Sequence, residues 1–234
     1  MLENIVNYFV NAGVEVYFIL LILIVLEAVL SADNAIALAS IAKSVKDPEA
    51  QQKALNIGLV GAYVLRIILI LGATYVIEYW QFELLGALYL LWLVFNYFVL
   101  QDEEDEEDDS SETRSLGFKS LWQVIPTIAI TDLAFSLDSV TSAIAITEDT
   151  WLIIAGGTIG IIILRFLAGL FIRWLQEYTY LEDAGFITVG FVGLRLLLKV
   201  WLPDTYIPEW VTIAVVAIFF TWGFSKREVI ESDK

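Results

Sequence analysis

The sequence predicts an all-α membrane protein of seven transmembrane helices, built as two inverted three-helix repeats with a seventh helix at the end. Three observations predict it. Hydrophobic residues are 59% of the chain and charged residues 18%, against about 45–50% and 25% in an ordinary soluble domain. The apolar residues gather into runs near the ~20 residues needed to cross a bilayer. A polar pattern inside the first run returns inside the fourth.

The runs fall at roughly 16–42, 55–77, 82–100, 121–147, 151–174, 184–202 and 208–224. The first holds ILIVLEAVLSADNAIALASIA and the fourth IPTIAITDLAFSLDSVTSAIAIT. Overlaid at an offset of 105, Glu27 matches Asp132, Ser31 matches Ser136, Asp33 matches Asp138 and Asn34 matches Ser139. Both runs are longer than a simple span, and Ser, Asp and Asn favour caps and turns. A break in each helix near these residues is therefore expected. Exposed backbone at that depth is tolerated only inside protein or along a cavity.

The second and fifth runs also correspond. Gly58, Gly61, Leu65 and Arg66 match Gly157, Gly160, Leu164 and Arg165 at an offset of 99. The glycine pairs are read as close helix packing. Three spans per repeat is an odd number, so the second copy enters from the opposite side, the inverted architecture of many secondary transporters. The chain then divides into a first repeat at 1–100, an acidic cytoplasmic linker at 101–120, a second repeat at 121–202, and a seventh helix with a cytoplasmic tail at 203–234.

Basic residues set the orientation. Lys43, Lys46, Lys53, Arg114, Lys119, Arg173, Lys226, Arg227 and Lys234 all fall on one side if the N-terminus is outside, and only Lys199 falls on the other. The expectation is N-terminus out and C-terminus in. The first sixteen residues lack the basic start of a signal peptide and the look of a transit peptide.

Composition excludes several function classes. There is no Cys or His, so thiolate and imidazole metal sites, disulfides and His acid–base chemistry are absent. No nucleophile with a base and no phosphate loop is visible, so the chain is expected not to be an enzyme and to need no organic cofactor. The net charge of −16 rests largely on the acidic run Asp102 to Asp109, which argues against nucleic acid as a partner.

A carboxylate within a span costs about 2.5–3.5 kcal/mol on insertion scales. Placing two of them twice, at one spacing, asks for negative charge inside the membrane. Glu27, Ser31 and Asn34 share a helical stripe, as do Asp132, Ser136 and Ser139; a break would bring Asp33 and Asp138 to the same place. Such an all-oxygen set suits calcium, magnesium or manganese. The plainer alternative is polar glue between helices. Arg66, near the centre of its span, is expected to pair with an acid. Arg66 and Arg165 balance charge in the empty site, or are static structural ion pairs.

With LEAVLSADNAIALA and TDLAFSLDSVTSAIAIT, and the Gly-rich spans that carry an Arg, the chain resembles the TerC family of integral membrane proteins. The resemblance covers nearly the whole chain except the acidic linker and the two ends. It implies a multi-pass protein of a bacterial inner membrane that exports a divalent cation, most of all manganese, as transported substrate. It places the family motif on Glu27, Asp33 and Asn34, then on Asp132, Asp138 and Ser139. Proton antiport is the expected energy source, with carboxylates carrying the protons. The family also implies an alternative: a membrane scaffold, assembly or stress-resistance factor without transport.

Overall fold

The computed structural model describes residues 14–45, 47–99, 121–202 and 208–227. The acidic run 102–109 and the rest of the linker fall outside them. Within the described residues there are eight helices and no strand: α1 Val14–Lys43, α2 Pro48–Leu71, α3 Ala73–Glu78, α4 Gln81–Val99, α5 Leu121–Ile146, α6 Thr150–Trp174, α7 Leu181–Trp201 and α8 Glu209–Gly223. Five of them, α2 and α4 to α7, are long and apolar enough to cross a membrane. Val16–Ala28 of α1 and Trp210–Gly223 of α8 are shorter apolar stretches.

Two expectations are corrected here. The breaks at the Ser-x-Asp motifs do not occur: α1 runs through 30 residues and α5 through 26 without interruption. In α5 the hydroxyls turn back onto their own helix. Ser136 Oγ donates to Asp132 O at 2.7 Å and Ser139 Oγ to Ser136 O at 3.4 Å, so these residues bond helical carbonyls without ending the helix. The whole of α1, about 45 Å long at 1.5 Å per residue, is helix, including its excess over a simple span. The second correction is the start of α2, seven residues before the apolar run begins. Asp47 caps it by accepting from Ala50 N at 3.0 Å, and Pro48 follows at the first helical position. A cap of this kind contributes about 1 kcal/mol and needs no apolar residue.

The helices pack in three main pairs: α1 with α6, α2 with α5, and α4 with α7. Glycines decide how close each pair comes. A methyl group on Gly156 would stand 3.1 Å from Leu23 Cβ, and one on Gly58 would stand 2.6 Å from Ile128 Cγ2. The pairings Leu23–Gly156 and Lys43–Leu175 show α1 and α6 running in the same direction. Gly58–Ile128 and Arg66–Asp132 show the same for α2 and α5. Tyr97 stacked on Phe186, with Leu90 beside Gly193, makes α4 and α7 antiparallel.

The outer surface is apolar. Val60, Ile68, Leu85, Phe166, Leu194 and Ile218 are all exposed, a surface that suits lipid tails and would be a liability in water. Exposed Tyr79, Trp80, Trp122, Trp201 and Trp210 cluster at helix ends, where aromatic rings favour the membrane interface.

Candidate functional site

The site lies where α1, α2, α5 and α6 meet, and Arg66 is its centre. Its side chain is 1% exposed. Nη1 donates to Glu27 Oε1 from α1, and Nη2 donates to Asp132 Oδ1 and Oδ2 from α5 at 3.2 and 3.3 Å. Glu27 and Asp132 are the two acids that correspond in the overlaid motifs. One buried guanidinium therefore bridges both, which charge-assisted hydrogen bonds favour strongly in a dry interior. Two carboxylates and one guanidinium leave a formal charge of −1.

The backbone of α6 is shaped around this group. A methyl group on Gly160 would overlap Glu27 Cγ and stand 3.0 Å from its Cδ, while one on Gly157 would stand 3.5 Å from Arg66 Cδ. Gly156 and Gly160, one helical turn apart, form the slot that admits Leu23 and Glu27. Beside the ion pairs is a small cavity of about 10 Å³, lined among others by Glu27, Arg66, Ser139 and Gly157. Its size is close to what one water molecule requires.

Oxygen atoms surround the pair. Ser136 Oγ also lies 3.3 Å from Asp132 Oδ2. Ser31, one turn beyond Glu27, is fully buried, and among the described residues neither its Oγ nor Arg66 Nε has a hydrogen-bond partner. Asn34 and Ser139 are buried on the stripes expected for them. The side chain of Asp33 lies outside the described residues.

Asp138 and Arg165 stand elsewhere. With α5 unbroken, Asp138 turns toward α7, where Arg195 Nη1 lies 3.2 Å from its Oδ2 and Lys199 Nζ 3.5 Å from its Oδ1. Lys199 continues to Glu83 Oε1 of α4 at 2.8 Å. Asp138 thus belongs to a second, charge-balanced network. Arg165 donates from Nε to Asn56 Oδ1 and from Nη2 to Gln52 Oε1 at 2.8 Å, with no acid partner among the described residues. The repeat correspondence of the two arginines holds in sequence and not in surroundings.

Sequence reasoning left Arg195 without a role and did not mark Glu83 or Gly156. Arg195 and Lys199 are four residues apart and so share one face of an apolar helix; that doubly basic face was the signal that acids from other helices must meet it.

Among the described residues no three acidic side chains group together as a ready metal cage. What the arrangement offers is two carboxylates held by one guanidinium, with hydroxyls close by. If the guanidinium withdraws, two negative charges and an all-oxygen surrounding remain, which hard divalent cations prefer.

Fold and site together define a multi-pass integral membrane protein with a buried, ion-paired core. The chain belongs to the integral membrane protein TerC family, whose profile matches residues 12–230. It is 38% identical over 178 residues to the membrane protein YceF of Bacillus subtilis, covering 74% of this chain and 68% of YceF. It is 34% identical over 200 residues to YkoY of the same organism, covering 79% of this chain and 60% of YkoY. It is 26% identical over 226 residues to the thylakoid membrane protein TERC, chloroplastic, of Arabidopsis thaliana, covering 85% and 58%. The chain thus spans roughly three fifths of the length of two of these relatives. Its bacterial relatives are consistent with an inner-membrane location. No solved structure matches the chain.

Proposed function

We propose that the protein is a secondary transporter that exports a divalent metal ion from the cytoplasm by proton antiport, manganese being the favoured substrate. One observation carries this reading: a single buried guanidinium sits between the two acids that correspond in the two halves. Arg66 stands in for the missing cation. When the ion enters, the guanidinium gives up both pairs and the carboxylates become ligands, joined by the hydroxyls of Ser31 and Ser136. Asn34 and Ser139 complete the polar stripes, while Asp138, Arg195, Lys199 and Glu83 tie α4, α5 and α7 together beyond the site. Protons and metal compete for the same carboxylate oxygens, so metal is released as pH falls.

The helix pairing supports the inverted-repeat part of the reading. Exchanging α1 with α5, α2 with α6 and α4 with α7 maps the pair α1–α6 onto α5–α2 and the pair α4–α7 onto itself. Seven spans with the N-terminus outside fit the same scheme, because Lys43, Arg173 and Arg227 all belong to the helix ends that meet near Leu175 and Glu177. The manganese preference rests on the family resemblance, since oxygen ligands alone admit magnesium and calcium.

The test is survival on toxic manganese in cells that lack their own exporter. Wild type should protect, and Glu27→Gln and Asp132→Asn should each protect no better than an empty vector at matched membrane abundance. Protection by both variants equal to wild type removes the site. A second reading, a scaffold without transport, has one observation for it: Arg66 already fills the space between the acids. It predicts that wild type itself protects no better than an empty vector.

A further inference from the structure

Arg165 occupies the position that corresponds to Arg66, yet its charge has no counterpart among the described residues. Its two hydrogen bonds go to the neutral amides of Gln52 and Asn56. A guanidinium carries five N–H donors, so most of its donors remain open. Nη1 lies against Gly169, where any side chain would come within 2.9 Å of it. The group is half-buried in the surface between α2 and α6.

Two recesses meet at Asn56, beside this group. One, of about 470 Å³, sits at the capped end of α2 and is lined by Pro48, Glu49, Gln52, Lys53 and Ile57. The other, of about 430 Å³, contains Arg165 and is otherwise mostly apolar, with Leu59, Val60, Ile161, Ile162 and Phe166 along it. Val60, Ile162 and Phe166 are exposed on the face that meets lipid tails. From the helix end inward, the surface presents the side chains of Glu49, Gln52, Lys53 and Asn56, then an apolar trough that holds Arg165. That is the order of groups along a phospholipid, from head to acyl chain.

We propose that this surface holds one anionic phospholipid, with its phosphate on the Arg165 guanidinium, Lys53 near the headgroup, and an acyl chain along the trough past Val60 and Ile162. Charge decides in favour of an anionic lipid over a neutral one. A cation inside a span is costly unless compensated, and no carboxylate among the described residues pairs with Arg165. A phosphate supplies the missing negative charge through paired N–H···O bonds, the geometry that suits arginine best. Basic pockets between transmembrane helices near the membrane surface bind anionic headgroups by the same physics. The site is distinct from the one centred on Arg66 and does not depend on transport.

The test counts lipids on the purified full chain by native mass spectrometry, after equilibration in micelles containing phosphatidylglycerol or phosphatidylcholine. Wild type should retain one phosphatidylglycerol more firmly than any phosphatidylcholine. Arg165→Gln should lose that lipid and Arg165→Lys should keep it. Val60→Trp, which fills the trough and leaves the guanidinium intact, should weaken retention too, and serves if Arg165→Gln does not fold. Equal retention of the two lipids by wild type, or unchanged phosphatidylglycerol retention by Arg165→Gln or Val60→Trp, overturns the proposal. So does displacement of the lipid by soluble glycerophosphoglycerol at matched concentration, which would mark a plain phosphate site.

Discussion

Arg66→Gln is expected to be the most destabilising conservative change in the protein, and added manganese is expected to reverse much of the loss. Glutamine keeps hydrogen-bonding capacity and removes the charge. It leaves Glu27 and Asp132 facing one another in a region where Asp132 is fully buried. Breaking a buried ion pair by removing one partner costs about 3–5 kcal/mol, because the remaining charge is stranded. Here two charges are stranded. A divalent ion that takes the place of the guanidinium should stabilise the folded variant by mass action. Thermal unfolding of purified Arg66→Gln, followed by tryptophan fluorescence with and without manganese, reads both effects. A large loss that manganese does not repair would mean that the acids serve the arginine alone.

Gly160→Ala should carry the second largest effect. The added methyl group overlaps Glu27 Cγ, and relief requires either that α1 lift from α6 or that Glu27 leave Arg66. Overpacking of this kind costs about 1–3 kcal/mol, and the ion pair is lost in addition if Glu27 moves. The matching change in the other half is the control. A methyl group on Gly61 would meet only Ala129 Cβ, at 3.4 Å. Gly61→Ala should therefore be near neutral, helped by the ~1 kcal/mol by which alanine exceeds glycine in a helix. Comparable melting temperatures for the two variants would show that the close approach of Glu27 to α6 is not a constraint.

This contrast between matched glycines marks the limit of what the sequence reveals. Hydrophobic run length located the five helices long and apolar enough to cross a membrane, because a bilayer imposes one length on every helix that crosses it. The offset of 105 picked out Glu27 and Asp132 as equivalents, and Arg66 had to meet an acid because a lone charge at mid-span is too costly. Side-chain direction was less readable. Asp138 was grouped with Asp132 through an expected break, yet a Ser hydroxyl can bond its own helix as readily as it can cap a new one. Without the break, Asp138 points to α7 and finds Arg195 and Lys199. Arg165 was grouped with Arg66 by symmetry. Symmetry of sequence fixes a residue's place on its helix, and the neighbouring helix decides whether amides or acids await it. Gln52 lies on the polar capped opening of α2, and Asn56 at the start of its apolar run.

The central claim is that Glu27 and Asp132 exchange one buried arginine for one divalent ion. Equilibrium binding of manganese to the purified protein, measured at neutral and at mildly acidic pH, tests it most directly. The account predicts saturable binding that weakens as the medium is acidified, and an Asp132→Asn variant whose affinity is lower by at least ~10-fold, the equivalent of about 1.4 kcal/mol. Binding by Asp132→Asn with the affinity and pH dependence of wild type would contradict it.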